Sequence, residues 1–583
     1  MATRRLLLLI LVVVACVPLW GQQVEVREET LSNGMKLLIV ERHQSPTIAC
    51  GWVARVGSVN ERPGITGISH LFEHMMFKGT RTIGVTDYAK AKAIQDAQDR
   101  IWDEMQKEFA GLRRKLLRGE ITGNIYDPEN RTPRLKELRA ELEKLFAEEK
   151  KYLVSSELDQ IYTREGGSNL NAFTTQDQTV YIVTVPANKL ELWMWLESDR
   201  LLNPVFREFY SERDVVREER RLRVESTPTG KLEEQFDAMF WQAAPYHWPI
   251  IGWASDVESI TRRQAEEYFA TYYAPNNLTA ILVGDLNGDE AVRLAETYFG
   301  RIPRGASNPP EVITLEIKQQ AEQRLTGKAD TNPAVIVRFQ GPPFNHKDTF
   351  PLQILADILS GRTGRLYKAL VEDQQLAVGQ PSASLFEAKY GGYFQVSAEV
   401  KEGVEHAAVE SALLAQLERL KQEPVSEREL QKVKNQNLAD SFRRLQSNFF
   451  LMIQLAIYDS NDHWSYINEA PGRLQAVTAA DVQDVARRYL VEEARTVGWY
   501  VRKEGAEPEH PALTALPPQM KAMVKQQLAQ VDQETDLGKL QQILDQMQQA
   551  SGRVPPQMKP AFDLVTQKIQ ERIDVLNAKK GEK

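Results

Sequence analysis

Two stretches of alternating strand and helix patterns make up most of this 583-residue chain. Residues 35–40 and 277–284 have strand patterns in the first stretch, and residues 335–339 and 391–400 have them in the second. A segment rich in proline and glycine, residues 302–312, separates the two stretches and is typical of a linker. Because one core does not ordinarily grow to this length, the pattern predicts two or more domains, the second repeating the rhythm of the first.

Residues 86–160 differ in character, since they are dense in charge and contain little glycine. Their apolar residues recur at helical spacing on both sides of a break at residues 123–128, which indicates an antiparallel helical hairpin inserted into the first domain. The hairpin is expected to project from the domain as a solvated pair of helices that metal binding does not need. The apolar positions are Ile94, Ile101, Met105, Leu112 and Leu116, then Leu135, Leu138, Leu142, Leu145 and Tyr152.

The most informative short segment is His70-Leu71-Phe72-Glu73-His74, which lies early in a predicted helix over residues 67–77. Residues four apart share one face of a helix, so both imidazoles point the same way, at a spacing that suits two ligands of one tetrahedral Zn²⁺. Glu73 lies near the same face and is expected to be the general base, taking a proton from a metal-activated water. The alternative is a chance pair of helix histidines, which the total of only eight histidines disfavours.

A catalytic zinc site needs a third protein ligand and keeps one position open. A later predicted helix carries Glu212 and Glu219, which are seven residues apart and therefore share a face with Val215 and Val216. Because that face is partly apolar, it is expected to be buried, and a buried carboxylate needs a partner such as a metal. Glu218 points elsewhere and is expected to be solvated. The alternative is an ordinary charged helix.

Charge and cysteine content exclude several classes of protein. The net charge of −8 argues against a nucleic-acid binder, which would carry a basic patch and a high isoelectric point. The only cysteines are Cys16 and Cys50, so removal of an N-terminal signal would leave Cys50 alone, without an intrachain disulfide. Cysteine ligation of a metal is then excluded, which leaves histidine and carboxylate as the ligands.

The N-terminus has the pattern of an export signal. Two arginines precede an apolar run, residues 6–20, and Gly21 closes it, so we expect residues 1–21 to be a cleaved signal peptide. A loose match to a lipobox offers a second interpretation, in which Cys16 carries a lipid anchor. No other segment is long and apolar enough to span a bilayer. The mature protein is therefore expected in the periplasm or another extracytoplasmic compartment, without a transmembrane span.

Further segments, together with the histidine helix, carry a specific resemblance to one family. They are residues 31–35, 67–80, 171–175, 272–277 and 282–285. From about Glu28 to Val501 the chain resembles the pitrilysin/insulinase family, zinc peptidases with an inverted His-x-x-Glu-His motif that include bacterial periplasmic members and mitochondrial processing peptidase.

The resemblance implies an α+β fold of two similar halves, each with a mostly antiparallel sheet faced by helices, plus the inserted hairpin and a helical C-terminal tail. It also implies one Zn²⁺ per chain, with His70, His74 and Glu219 as its ligands and Glu73 as the base. Glu212 corresponds to the second acidic residue of the same helix, which supports the site from outside the ligand set.

A predicted strand over residues 170–185 includes Asn171, Ala172 and Phe173, which resemble the edge strand with which this family binds substrate backbone by β-augmentation. The expected activity is therefore zinc-dependent endopeptidase cleavage of peptides or unfolded protein segments. The alternatives are a non-catalytic assembly subunit of the same family, and an exported chaperone-like binding module in which the hairpin and tail do the work.

The expected domains follow from these boundaries. The hairpin also explains why Glu219 follows His74 at a longer interval than is usual in the family. The predicted units are a signal peptide at 1–21, a zinc-bearing peptidase domain at 22–305, a second, non-catalytic peptidase-like domain at 306–505 and a helical tail at 506–583.

The second half departs from the family pattern. Members that complete their site within one chain carry an Arg and a Tyr seven residues apart there, and this chain has Val371 and Val378 at the aligned positions. The resemblance therefore implies a heterodimer with a zinc-less paralogue that supplies the missing pair. The alternative is that Arg365, Tyr390 or Tyr393 fills the role within one chain.

Overall fold

A computed structural model describes residues 23–504, 510–514, 516, 518–555 and 558–581. The predicted signal peptide and the predicted lipid-anchor residue Cys16 lie outside the described residues. Within the described ranges, no helix is both long enough and apolar enough to cross a membrane. Cys50 is buried and forms no disulfide with any residue that the structure describes.

The first half is built on a six-stranded sheet with the strand order β1-β2-β6-β3-β5-β4. Neighbouring strands are antiparallel except for β2 and β6, which are parallel. The strands are β1 (Arg27–Thr30), β2 (Lys36–Glu41), β3 (Thr47–Ala54), β4 (Ser168–Thr174), β5 (Thr179–Pro186) and β6 (Leu278–Gly284).

The second half repeats this topology in a five-stranded sheet with the order β7-β11-β8-β10-β9. Again a single pair, β7 with β11, is parallel, and the other neighbours are antiparallel. The predicted α+β fold of two similar halves is thereby confirmed. The strands are β7 (Gln323–Ala329), β8 (Ala334–Gly341), β9 (Ala377–Ala388), β10 (Gly391–Val400) and β11 (Arg495–Arg502).

Helices cover the sheets. In the first half they are α1 (Ile68–Met75), α2 (Tyr88–Leu117), α3 (Pro133–Glu149), α4 (Glu157–Arg164), α5 (Leu190–Leu202), α6 (Phe209–Arg220), α7 (Gly230–Phe240), α8 (Ala254–Val257), α9 (Arg262–Tyr272) and α10 (Gly288–Tyr298). In the second half they are α11 (Thr349–Leu359), α12 (Arg365–Tyr367), α13 (His406–Gln422), α14 (Glu427–Gln446), α15 (Asn448–Asn461), α16 (Tyr466–Ala476) and α17 (Ala479–Tyr489). The tail has α18 (Pro511–Thr514), α19 (Pro518–Gln533), α20 (Leu537–Ala550) and α21 (Lys559–Gly581).

Both faces of the first sheet are buried. One face packs on the helices of its own half, and the other is covered by α15 from the second half, whose Leu451, Met452 and Leu455 are fully buried against it. The contact is close at Gly51 of β3, where an added Cβ would lie 2.6 Å from the sulfur of Met452. The two halves are therefore packed together through apolar side chains as well as joined by the chain.

The prediction of one long strand over residues 170–185 is wrong, because β4 and β5 form a hairpin there. The hydroxyl of Thr175 accepts hydrogen bonds from the backbone N–H groups of Asp177 and Gln178, each at 3.2 Å, and this closes the turn. A threonine-based turn contains neither glycine nor proline, so composition did not reveal it.

The predicted helical hairpin is present as α2 and α3, but its expected projection into solvent is wrong. Trp102, Met105 and Phe109 of α2 and Leu138 of α3 are buried in the same apolar cluster as the first sheet. The apolar stripes that the sequence displays therefore face the domain as well as each other.

Candidate metal centre

Helix α1 carries both histidines of the motif. His70 is 8% exposed, and the ring centroids of His70 and His74 lie 4.9 Å apart. The four-residue spacing thus places the two imidazoles side by side on one face, as expected for an α-helix.

Helix α6 brings the third predicted ligand to this pair. The two carboxylate oxygens of Glu219 lie 3.8 Å from Nε2 of His70 and 3.4 Å from Nε2 of His74. One ligand atom from each of the three residues lies within 4.8 Å of the others. Glu219 also pairs with the guanidinium of Arg223, at 2.8 Å. Three side chains from two helices therefore converge on one point.

Glu212 controls the orientation of the His74 ring. Its carboxylate lies 3.0 Å from Nδ1 of His74 and is itself paired with Lys78 at 2.6 Å. Burial lowers the pKa of His74, but the hydrogen bonds to Glu212 and Glu219 outweigh it and raise this pKa to about 9. Burial raises the pKa of Glu212, and the bonds from His74 and Lys78 reverse this and bring it to about 2. Glu212 therefore holds Nδ1–H and turns Nε2 towards Glu219.

The donor set fits a zinc ion. Two imidazole nitrogens and one carboxylate are the ligands of known catalytic zinc sites, which leave the fourth position open. Burial and the neighbouring His74 lower the pKa of His70 to about 4, so no proton has to leave this ring at neutral pH, whereas the proton that Glu212 and Glu219 stabilise on His74 has to leave before that ring ligates a metal. The carboxylate behind His74 is the usual arrangement for fixing a ligand imidazole. The identity of the ligands nevertheless stays a prediction.

Glu73 lies on the same helix and is held from the sheet. The hydroxyl of Thr174, the last residue of β4, donates to its Oε2 at 2.6 Å. Burial raises the pKa of Glu73, and the Thr174 bond opposes this shift. Thr174 was part of the segment that carries the family resemblance, but nothing in the sequence assigned it a partner.

Buried polar groups anchor both ends of α1, and sequence reasoning missed them. Glu61 accepts hydrogen bonds from the backbone N–H groups of Gly67 and Ser69, both at 2.8 Å, and from the hydroxyl of Ser69. At the other end, Arg200 donates to the carbonyl of Met76 at 3.0 Å. Glu61 lies in a loop without a helical pattern, and Arg200 is distant in sequence from Met76. Hydrophobic periodicity therefore gave no signal for either anchor.

The strand that carries Asn171, Ala172 and Phe173 lies at the edge of its sheet, and its role in substrate binding stays a prediction. β4 is the last strand of its sheet, so its outer backbone edge has no neighbouring strand in the described part of the chain. Asn171 is exposed, Phe173 is half-buried and Ala172 points into the domain with 8% exposure. The strand ends at Thr174, beside Glu73, so its free edge leads to the candidate site.

One expectation about α6 is wrong. Val215 is 51% exposed, whereas Val216 is fully buried, so the apolar face of this helix is narrower than predicted. Tyr210 and Arg213 are buried instead, and the guanidinium of Arg213 packs over the ring of Tyr210. As expected, Glu218 is exposed, and it forms an ion pair with Arg221, three residues further along the chain.

In the second half, Val371 packs against the apolar core and Val378 is half-buried at the start of β9. Arg365 is engaged by the carboxylate of Glu429 through two bonds of 3.0 and 2.9 Å. Tyr393 stacks on Phe386 with centroids 4.8 Å apart.

Tyr390 belongs with Tyr393 to a small apolar cluster between the halves, and its backbone N–H donates to Tyr246. Of the three alternative residues for the Arg/Tyr role, Arg365 is thus paired through its guanidinium, whereas Tyr390 and Tyr393 are held through backbone or ring contacts.

Two family models match the chain. One, described as insulinase (peptidase family M16), matches residues 36–92 and 142–252. The other, described as the peptidase M16 inactive domain, matches residues 259–437. Together they cover more than half of the sequence, and the unmatched interval 93–141 falls in the α2–α3 hairpin.

Several proteins are similar to this chain. Zinc protease PqqE of Helicobacter pylori is 25% identical over 474 residues, which are 80% of this chain and 90% of that protein. The uncharacterized zinc protease YmxG of Bacillus subtilis is 22% identical over 356 residues, 60% of this chain and 68% of that protein. The crystal structure of a protease from Helicobacter pylori superposes with a TM-score of 0.66 at 23% identity, covering 82% of this chain and 99% of that one.

Proposed function

This chain belongs to the insulinase family of peptidases, peptidase family M16, and from that premise we propose that it is a zinc metalloendopeptidase acting on peptides or unfolded protein segments. The observation that carries the proposal is the convergence of His70, His74 and Glu219 within 4.8 Å, with Glu73 on the same helix. Neither of the alternatives, an assembly subunit or a chaperone-like module, accounts for a complete set of metal ligands beside a base.

Each side chain has a distinct part in the proposed chemistry. A zinc ion in this site would polarise the substrate carbonyl and acidify the attacking water. Glu73 accepts the proton of that water and delivers it to the leaving amine. Thr174 occupies Oε2 of Glu73, which fixes the carboxylate and leaves Oε1 for the proton. Glu212 keeps the His74 ring in the tautomer that directs Nε2 to the metal.

The substrate would bind as an added strand. The free edge of β4 offers backbone N–H and C=O groups to an extended peptide, which gives affinity with little dependence on sequence. Because β4 ends beside Glu73, a peptide paired with Asn171, Ala172 and Phe173 would place a peptide bond near the base. This geometry favours extended or unfolded substrates, since a folded chain has no free strand to add.

Metal analysis tests the proposal directly. The purified wild-type chain is expected to contain one zinc per molecule, and His70→Ala and Glu219→Gln are expected to lose it while remaining folded by circular dichroism. Ser32→Ala, at an exposed site whose hydroxyl bonds Glu296, is the control. Stoichiometric zinc in His70→Ala would contradict the proposed ligand set.

The same proposal includes a partner. Val371 and Val378 have no hydrogen-bond donors to offer, so the second half does not supply oxyanion stabilisation from those positions, and loss of such donors costs about 10²–10³-fold in rate. The guanidinium of Arg365 is engaged by Glu429. We therefore infer a heterodimer with a zinc-less paralogue that carries an Arg/Tyr pair.

Support for this pairing comes from the periplasmic protease PqqL of Escherichia coli. This chain superposes on 50% of PqqL and on 97% of a structure of its first half, with TM-scores of 0.61 and 0.59 at 17% identity. Peptidase activity of the purified chain is to be measured with and without the paralogue. Full activity of the isolated monomer, unchanged by the paralogue, would defeat the pairing but leave the zinc proposal intact.

The proposed location is the periplasm or an equivalent extracytoplasmic space, on the strength of the predicted signal peptide at residues 1–21. Cell fractionation tests it, and replacement of Cys16 by Ser separates the two forms of export. A cleaved soluble protein is unaffected by Cys16→Ser, whereas a lipid-anchored one no longer incorporates labelled fatty acid.

A further inference from the structure

The α2–α3 hairpin lies mostly in residues 93–141, which fall between the two segments matched by the peptidase family model. It is therefore an addition to the family framework. It packs against α6, the helix that carries both Glu212 and Glu219. An element added by this chain thus contacts the helix of the third predicted metal ligand.

Trp102 of α2 makes the central contact. Its ring stacks on Tyr210 with centroids 5.0 Å apart and planes inclined by 28°. The guanidinium of Arg213 lies 3.8 Å from the centroid of the same ring. Tyr210 and Arg213 are three residues apart and share a face of α6, so one indole touches the helix at two successive turns. Such a contact restricts both rotation and sliding of α6.

Polar contacts from the hairpin reinforce it. The hydroxyl of Tyr210 donates to Asp99 at 2.7 Å, and Arg262 of α9 donates to the same carboxylate at 2.8 Å. The buried carboxylate of Glu149, at the end of α3, accepts from the backbone N–H of Glu208 at 3.4 Å, where α6 begins. The hairpin therefore holds the first turn of α6 as well as its buried face.

Small movements of α6 matter to a metal site. With a helix radius of about 5–6 Å, side chains included, a rotation of about 10° moves a side-chain end by about 1 Å. Metal–ligand distances tolerate deviations of only about 0.2 Å. We propose that the inserted hairpin is a positioning element of the metal centre, in which Trp102, packed on Tyr210 and Arg213, fixes the approach of Glu219 to His70 and His74.

This inference rests on the proposed zinc site, and its test measures metal affinity. The zinc dissociation constant of the full chain is to be measured by competition with a chromophoric chelator. Replacing Trp102 by Ala removes the ring on which α6 rests, so we expect zinc to bind about 10-fold more weakly, at the low end of the range for groups that orient metal ligands. Peptidase kcat should fall with little change in KM, because β4, the proposed substrate strand, is untouched.

Two further variants separate positioning from stability. The Nε1 of Trp102 is buried without a hydrogen-bond partner in the described residues, so Trp102→Phe keeps a stacking ring and loses no hydrogen bond, and it should restore most of the zinc affinity. Leu138→Ala, on α3, lowers the stability of the hairpin through a cavity and should leave zinc affinity within about 2-fold of wild type, since Trp102 is intact.

The outcomes are distinguishable. Zinc affinity of Trp102→Ala equal to that of wild type, or an equal loss in Leu138→Ala and Trp102→Ala, would overturn the positioning role. Absence of zinc from the wild-type chain would instead overturn the proposed function. If Trp102→Ala does not fold, Trp102→Leu decides, because it keeps an apolar side chain and loses the ring that packs on Tyr210 and Arg213. Weaker zinc binding in Trp102→Leu than in Leu138→Ala supports the positioning role, and equal zinc binding in the two overturns it.

Discussion

Helix α1 of the first half and helix α11 of the second follow corresponding strands, β3 and β8, of the repeated topology. The buried face of α1 includes His70 beside apolar residues, with Glu73 and His74 partly buried. The buried residues of α11 are apolar except for Thr349. The helix at the corresponding position thus carries the candidate site residues in the first half and mainly apolar core residues in the second.

The carboxylates at the N-terminal ends of these two helices also differ, both in their hydrogen-bond donors and in the direction of their pKa shifts. Glu61, before α1, has neutral donors, the N–H groups of Gly67 and Ser69 and the Ser69 hydroxyl, and burial raises its pKa to about 8. Asp348, the N-cap of α11, pairs with the guanidinium of Arg488, which lowers its pKa.

The comparison shows that the carboxylate before α1 has no counter-charge among its hydrogen-bond donors, whereas Arg488 neutralises the carboxylate before α11. Buried polar groups without a counter-charge are costly to stability and are retained where position matters. We therefore expect changes at the two helices to affect different properties of the protein, and three predictions test this.

The largest expected effect is on catalysis. Glu73→Gln should keep zinc but lower kcat/KM by about 10²–10⁴-fold, because the amide has the shape of the carboxylate and does not accept a proton. The matched control is Asp357→Asn on α11, which also removes a carboxylate from a helix in the corresponding position. Near-wild-type turnover of zinc-loaded Glu73→Gln, or an equal loss in Asp357→Asn, would break the comparison.

The next effect is on metal affinity. Glu61→Ala leaves the buried N–H groups of Gly67 and Ser69 without an acceptor, at a cost of about 1–3 kcal/mol for each unsatisfied group, and it loosens the start of the histidine helix. Zinc should then bind about 10–100-fold more weakly.

Asp348→Ala is the counterpart in the second half. It should lower the free energy of unfolding by about 1–2 kcal/mol, since Arg488 is partly exposed and regains water, and it should leave zinc affinity unchanged. Chelator competition and urea unfolding on both variants give the two quantities. Weaker zinc binding in Asp348→Ala would show that the halves are not independent in this respect.

The sequence predicts those features whose signal is local. The spacing of His70, Glu73 and His74 fixes their common face, and the family resemblance supplied Glu219 and the repeated halves. Two of the anchors act across long separations: Thr174 is 101 residues from Glu73, and Arg200 is 124 residues from Met76. Periodicity tells which face of an element is buried but not which element buries it, so these partners could not be predicted.

The hairpin illustrates the same limit. The apolar stripe of α2 predicts the contact with α3, but Met105 of that stripe is buried in the cluster of the first sheet, and Trp102, beside the stripe, packs on Tyr210 of α6. An apolar helix face that contacts two elements has the same spacing in the sequence as a face that contacts one. The spacing alone therefore does not distinguish the two cases. The narrow face of α6 was misjudged for a related reason: Tyr210 and Arg213 are buried through ring and guanidinium packing that no count of aliphatic residues includes.

The smallest expected effect is a pair of pH dependences with opposite signs. The pKa of Glu61 is raised in the folded protein, so its contribution to stability is present below its unfolded pKa of 4.5 and is lost as the pH rises through about 8. The pKa of Asp348 is lowered from 3.8, chiefly by Arg488, so its contribution is present above 3.8 and is lost as the pH falls through its folded value.

The free energy of unfolding is therefore to be measured in urea from pH 3 to pH 9, with zinc removed by chelation, for wild type, Glu61→Gln and Asp348→Asn. The wild-type advantage over Glu61→Gln should shrink by at most a few kcal/mol between pH 5 and pH 9, given about 1.4 kcal/mol per pKa unit. The wild-type advantage over Asp348→Asn should shrink as the pH falls from 5 towards 3. If both differences shrink towards the same end of the pH range, the two carboxylates are held in the same way, and the contrast between the helices is limited to their side chains at the site.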